Sequence, residues 1–230
     1  MPPRGQQRGQ GASRPLRLAT HNVRGLYTAQ EGTRRRRLAA FVQLWVAQQL
    51  DIILLQETWA QFFAQATLER ELHDACRQFP DHGGYRVCWC FTARQQSAGV
   101  AILVRRHLVD TNVVALGQPQ CSPGGRFMQV SLQWAGHIIT VANVYLPNDS
   151  VGQQAFIRQH IRPLASLPGP CLVAGDWNFV PDERLDRAVR SPAAAPAPPA
   201  AATAGAAAAA GAGGAAAAVS YTHLTLPTKA

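Results

Sequence analysis

The sequence predicts an α/β protein, a two-sheet sandwich with helices on its outer faces in four layers. Three patterns carry that expectation. Short apolar runs alternate with helix-period stripes through the first 80 residues. From Tyr85 the texture changes to closely spaced strands with period-two alternation. A further helix pattern then precedes one last apolar strand. Strands mixed with covering helices bury both faces of two sheets.

Element by element, Leu16 to Val23 reads as the first strand. Arg34–Arg37 leads into Leu38, Phe41, Val42 and Trp45, the i, i+3, i+4, i+7 stripe of an amphipathic helix ending near Leu50. The arginine run itself reads as a solvated helix start. Asp51–Gln56 is a compact apolar strand, and a second helix covers Ala60 to Arg77. Strands are predicted over Tyr85–Phe91, Ala98–Val104, Val109–Ala115, Phe127–Trp134 and His137–Leu146. Ala135-Gly136 is a two-residue hairpin signal. In the last of these strands Ile138, Ala142, Val144 and Leu146 share one face and Ile139 and Val141 the other, so both faces are expected to be covered. A helix over about Val151 to Leu167 precedes the apolar run Pro170–Ala174, which reads as a buried strand delivering polar groups to a sheet edge.

Outside that block the composition changes. Residues 1–15 are polar, glycine-rich and basic, and are expected to be disordered. The domain is expected to occupy 16–190. Residues 191–218 are an alanine, proline and glycine tract with no means of building a core. Residues 219–230, beginning Val219-Ser220-Tyr221-Thr222-His223, resemble one reading frame of a transposase-type sequencing adapter, and are expected to lie outside the fold.

Lysine and arginine total 22 against 13 aspartate and glutamate, a formal net charge of +9 among 230 residues. Such a surplus favours a polyanionic partner. The basic residues are arginine except for Lys229, a bias that a GC-rich gene also produces, so composition alone does not assign phosphate binding. The five cysteines (Cys76, Cys88, Cys90, Cys121, Cys171) have neither a disulfide-framework rhythm nor zinc-site spacing, and read as apolar thiols in a reducing compartment. No apolar run is long enough to span a membrane and no secretory signal opens the chain. The expectation is an intracellular, soluble protein with no membrane partner.

Four segments fall at predicted strand ends: Thr20–Gly25, Leu55–Thr58, Asn143–Asn148 and Gly175-Asp176-Trp177-Asn178. Singly, each has an ordinary reading. A Glu after a strand is commonly a solvated cap, Gly-Asp commonly a turn, Asn22 a turn cap and Tyr145 a strand aromatic. His21 reads as a packing neighbour, and Trp177 as filler behind the motif.

In this order, the four segments resemble the endonuclease/exonuclease/phosphatase superfamily, and look most like the endonuclease domain of LINE-type non-LTR retrotransposons. Ser97–Leu103, Gly125-Arg126-Phe127 and Leu185-Asp186-Arg187 support the likeness, which covers about Leu16 to Arg187. The resemblance implies a four-layer sandwich and a phosphodiesterase needing Mg²⁺, or Mn²⁺ in its place. It makes Glu57 the metal residue, with Asn22 assisting at the metal or orienting Glu57. Asp176 would orient or deprotonate the attacking water, and Asn178 and Tyr145 would hydrogen-bond the non-bridging oxygens. Asn148 would shape the loop beneath the site, and Arg126 would meet a phosphate. It implies DNA as partner, a downstream reverse transcriptase domain in the intact gene product, and a nuclear location if the element is eukaryotic. One departure stands out. The family's Ser-Asp-His-like segment has no counterpart here, because the last histidine after His160 is His223 in the suspect tail. The chain is therefore expected to be truncated at its C-terminus, inactive, and short of the closing strands of one sheet. Abasic-site, phospholipid or inositol phosphodiesterase activity on the same fold remains open, as does a non-catalytic nucleic-acid-binding module.

Overall fold

The computed structural model describes residues 15–92, 97–178 and 219–224. The expectations for the leader, the alanine tract and Leu185-Asp186-Arg187 lie outside the described residues. Two sheets stack face to face. The first has the order β10-β1-β2-β4-β3, built from β1 (Leu16–Asn22), β2 (Ile52–Gln56), β3 (Tyr85–Cys90), β4 (Val100–Arg105) and β10 (Val219–Leu224). The second runs β5 (Val114–Leu116), β7 (Phe127–Trp134), β8 (His137–Tyr145), β9 (Cys171–Asp176), with β6 (Gln120–Cys121) also on β7. Helices α1 (Glu31–Ala47) and α2 (Gln65–Cys76) cover the first sheet, and α4 (Ser150–Phe156) covers the second. This is the four-layer α/β sandwich the sequence predicts.

Three apolar layers follow from the strand and helix periods. Between the sheets, Leu18, Leu54, Ile102 and Val104 meet Met128, Val130, Leu132 and Val141. On the outer face of the first sheet, Ile53, Leu55, Ala101 and Leu103 pack on Leu38, Val42, Trp45, Leu68 and Leu72. On the outer face of the second, Val144 and Leu146 pack on Phe156 and Leu164. At about 1.5–3 kcal/mol per fully buried large aliphatic or aromatic side chain, these layers hold the fold against its chain entropy.

Two connections are parallel, β1 with β2 and β8 with β9. Each pair therefore ends at the same edge of its sheet. The β7–β8 hairpin turns through Ala135 (φ 50°) and Gly136 (φ 78°), with Trp134 opposite His137, as its two-residue loop predicts.

Several elements differ from the sequence reading. The predicted strand Val109–Ala115 is instead a short helix, α3 (Arg106–Asp110), a turn, and β5. Thr111 ends that helix by donating its hydroxyl to the His107 carbonyl (2.6 Å), and Asn112 takes a left-handed φ of 57°. The valines look strand-like, yet Val113 is exposed. The helix predicted to reach Leu167 is α-helical only over Ser150–Phe156, then passes through a wide π-type turn and a tight 3₁₀ turn. Pro163 lacks the N–H that would continue the α ladder. Ile138 is exposed, so β8 is covered on both faces only from Ile139. Among the described residues β9 is an edge strand whose residues beyond Cys171 are half-buried, and not the buried strand its apolar run suggested. The arginine run is not uniformly solvated: Arg34 is buried in an ion pair with Glu71. Finally, the backbone of residues 219–224 is strand β10, antiparallel to β1 from Leu16↔Leu224 to His21↔Val219. Part of the segment expected outside the fold thus closes the edge at β1.

Candidate active site

The carboxyl ends of β1, β2, β8 and β9 come together at one edge of the sandwich. What fixes them is a buried amide network between the sheets. Gln56, at the end of β2, donates Nε2 to Asn143 Oδ1 on β8 (2.7 Å). Asn143 donates Nδ2 to the carbonyls of Leu55 and Ala101 (2.8 Å each). Both residues are fully buried, so these bonds are worth making: an unpaired buried amide would cost about 1–3 kcal/mol. The network sets the register in which one sheet's strand ends face the other's.

Just beyond it lie the polar side chains. Asn22 donates its amide nitrogen to Glu57 Oε1 and to Asp176 Oδ2, both at 2.7 Å, joining a residue of each sheet's edge to a third between them. Only the NH₂ end of an amide can donate to two carboxylates, and the Asn22 oxygen accepts from the Arg24 N–H at 3.0 Å. Asn22 therefore orients the acids and turns its oxygen away from them. The Tyr145 hydroxyl donates to Glu57 Oε1 (3.1 Å). Burial, then the neighbouring Glu57 charge, raises the Tyr145 pKa, so the phenol keeps its proton. Asp176 Oδ1 accepts the Asn178 N–H (3.1 Å).

The turn that holds this arrangement is strained. Glu57 (φ 53°), Trp59 (φ 54°), Arg24 (φ 45°) and Asn178 (φ 48°) all have left-handed backbones, which cost non-glycine residues energy and cluster where function over-determines the chain. Two glycines make it possible. Gly25 (φ 84°) is pressed against the Trp59 ring, and at Gly175 (φ 148°) a Cβ would collide with the Val144 carbonyl. Arg37 donates to the carbonyls of Val23, Arg24 and Gly25, locking the loop after β1.

The remaining predicted residues sit around this core in different ways. Asn178 turns its amide onto the Leu146 carbonyl (2.5 Å), and Gln153 on α4 holds the Asn178 and Pro147 carbonyls. Arg126 stacks over the Tyr145 ring, 4.5 Å from its centroid, and donates Nη1 to the carbonyls of Tyr145 and Leu146. Its position braces the tyrosine. Asn148 is exposed in the loop before α4 and makes no hydrogen bond among the described residues. His21 is buried, accepts the Trp45 indole N–H (3.3 Å) and lies edge-on to Phe41, as a packing neighbour does. Trp177 packs on the α4 layer. Gln56 and Asn143 fall within two of the four segments singled out in the sequence but carried no role there, and Gln153 lay outside them. An amide at Asn143, flanked by the apolar Val141, Ala142 and Val144 of β8, was the signal that could have found it.

A hard cation fits the donors present. Among the described residues no group of three or more His, Cys, Asp or Glu side chains gathers. However, Glu57 offers Oε2 with no hydrogen bond among the described residues, while its other oxygen is held by Asn22 and Tyr145. Mg²⁺ commonly takes one or two carboxylates and keeps several waters. Two clefts, of about 280 Å³ beside His160 and about 250 Å³ beside Arg106, have linings that include none of these residues.

Acids and amides thus stand together at the paired carboxyl ends of a two-sheet α/β sandwich. The particular family follows from the sequence: the model of the Endonuclease/Exonuclease/phosphatase family matches residues 19–224, and the chain belongs to it. Members of this family are metal-dependent phosphodiesterases and nucleases. Among solved structures, the chain is similar to TDP2 from C. elegans (18% identity, TM-score 0.50, 75% of this chain and 50% of that one). It is also similar to the AP endonuclease LMAP from Leishmania major (17% identity, TM-score 0.51, 71% and 55%). At such identity the likeness is one of fold, and the chain spans about half the length of these relatives. No curated protein matches it significantly. Among the described residues, no helix is long and apolar enough to cross a membrane.

Proposed function

We propose that this chain is the endonuclease domain of a LINE-type non-LTR retrotransposon, a phosphodiesterase that nicks one strand of DNA to leave a 3′-hydroxyl for reverse transcription. The observation that carries the phosphodiesterase reading is the Asn22 amide bridging Glu57 and Asp176 at 2.7 Å on each side. The basic surplus, Leu185-Asp186-Arg187 and the order of the motifs favour the retroelement over an abasic-site or lipid enzyme. A reverse transcriptase domain as downstream partner and a nuclear location belong to the same proposal.

Each residue then has a task. A Mg²⁺ ion at Glu57 would neutralise phosphate charge and supply Lewis-acid stabilisation. Asn22 holds the two acids near each other and aimed, because without a donor between them their like charges would push them apart. Asp176, with each oxygen already holding one N–H, keeps lone pairs to accept a proton from an attacking water. Tyr145 stays protonated and, once its hydroxyl leaves Glu57 Oε1, can donate to a phosphate oxygen as charge builds there, as can the Asn178 amide once it leaves the Leu146 carbonyl.

Supercoiled plasmid with Mg²⁺ tests the proposal. The 230-residue chain is expected to leave the plasmid uncut. A version from the source gene that carries a Ser-Asp-His segment is expected to nick it, and to lose that activity on Glu57→Gln or Asp176→Asn. Nicking by the shorter chain that Glu57→Gln abolishes would keep the endonuclease and overturn the need for that segment. Hydrolysis of phospholipid or inositol phosphate with plasmid untouched would refute the DNA reading.

A further inference from the structure

Beyond Glu57 and Asn22 the two loops do not diverge. They run on side by side through Val23 N–H to Gln56 O (3.0 Å), Gly25 N–H to Glu57 O (2.7 Å) and Tyr27 N–H to Thr58 O (3.0 Å). That ladder carries the site's edge outward to a group of aromatic rings. Phe62 and Phe63, adjacent in a 3₁₀ turn, are 77% and 70% exposed. Phe63 stands edge-on to Tyr27 (6.0 Å) and Phe62 edge-on to Phe91 (5.7 Å), which is stacked in turn on Trp89. Tyr27 is itself fixed, with the buried Arg34 guanidinium 5.4 Å from its ring. Single exposed apolar residues need no explanation, but two neighbouring phenyls held upright by three further rings do.

We propose that Phe62 and Phe63 form a stacking platform for an unpaired base flanking the scissile phosphate. The preferred substrate is then DNA with an unstacked stretch beside the cut. This rests on the nuclease reading of the adjoining site. Phe62 is five positions after Glu57, so their Cα atoms are within roughly 18 Å, about five base steps at 3.4 Å along one strand. Exposed Arg24 lies in the same loop as Asn22, where a backbone linking the site and the platform can meet positive charge. Flat aromatic faces stack on bases that have left a helix, whereas duplex DNA offers its bases only by their edges. That geometry selects the unpaired strand.

The test is binding of the 230-residue chain to a short single strand containing 2-aminopurine, compared with the same strand in duplex. Stacking is expected to quench the probe, and Phe62→Ser and Phe63→Ser each to weaken single-strand binding roughly tenfold while leaving duplex binding unchanged. Phe62→Leu and Phe63→Leu keep an apolar side chain without a stacking face, and are expected to lose the quench with an unaltered melting temperature. Quenching and affinity unchanged in the serine variants would overturn the platform. So would a wild-type dimer that these variants dissolve with no quench at all, which would give the patch to a second copy of the chain. Because binding needs no cleavage, a quench by this chain together with no nicking by the version that carries a Ser-Asp-His segment would sink the endonuclease reading and leave the platform standing.

Discussion

The buried pair Arg34–Glu71 ties α1 to α2 beneath the loop that carries Tyr27, and its removal has a calculable effect. Arg34 donates Nε and Nη2 to the two Glu71 oxygens at 2.7 Å each and Nη1 to the Thr28 carbonyl at 2.6 Å. The two side chains are only 7% and 1% exposed. Glu71→Ala leaves a guanidinium out of water with the Thr28 carbonyl and the Tyr27 ring but no counter-charge in hydrogen-bond contact, and breaking such a pair costs about 3–5 kcal/mol. That is a large share of the ~5–15 kcal/mol that stabilises a domain. Replacing both partners with apolar residues of similar volume removes the charge as well as its partner. Arg34→Met with Glu71→Leu is thus expected to recover most of the loss, less about 1 kcal/mol for the hydrogen bond to Thr28. Urea denaturation followed by tryptophan fluorescence measures all three proteins. A Glu71→Ala loss below about 1 kcal/mol, or a double variant no more stable than the single one, would refute the reasoning. The first result would mean that solvent reaches Arg34. The second would mean that packing, and not uncompensated charge, sets the cost.

Two further outcomes follow from the fold. Burial lowers the pKa of both His21 and His82 to about 4 from an ordinary 6.5, with Arg105 also disfavouring the charge on His82. A histidine depressed in the folded state is protonated first in the unfolded one, so its contribution is present above pH 6.5 and is lost as pH falls towards 4. At 1.36 kcal/mol per unit the loss is about 3 kcal/mol for each. His82→Phe, which also removes two buried ring nitrogens that lack partners, is expected to flatten the fall in urea stability between pH 6.5 and 4.5. An unchanged slope would show that His82 opens to water. Gly175→Ala places a methyl against the Val144 carbonyl and is expected to cost more than 2 kcal/mol while misaligning Asp176. Wild-type stability and wild-type Mn²⁺ affinity in that variant would contradict the close approach of β8 and β9.

Much of this protein was decided by local pattern. Period-two and period-3.6 spacing placed β1, α1, β2, α2, β7 and β8 within a few residues, because each presents a continuous apolar face. The turn at Ala135-Gly136 followed from its two-residue length. The pattern failed where neighbours outweighed it. Val109 and Val113 read as strand, but a side-chain cap and a left-handed Asn112 bend that segment into a helix and turn. The apolar β9 read as buried, but it has a strand partner on only one side among the described residues. Arg34 read as solvated until Glu71, 37 residues away, came to meet it.

The sequence by itself determined the two-sheet class, the family, and that Asn22, Glu57, Tyr145, Asp176 and Asn178 stand at strand ends, since these depend on residue type and spacing along the chain. Only the tertiary structure decided that one asparagine amide holds two carboxylates from different sheets, that Arg126 braces Tyr145, and that Phe62 and Phe63 stand exposed beside the site. Those are contacts between segments as much as 154 positions apart, as with Asn22 and Asp176. Which side chains meet across such a distance is set by the register of two sheets, held here by the buried amides of Gln56 and Asn143.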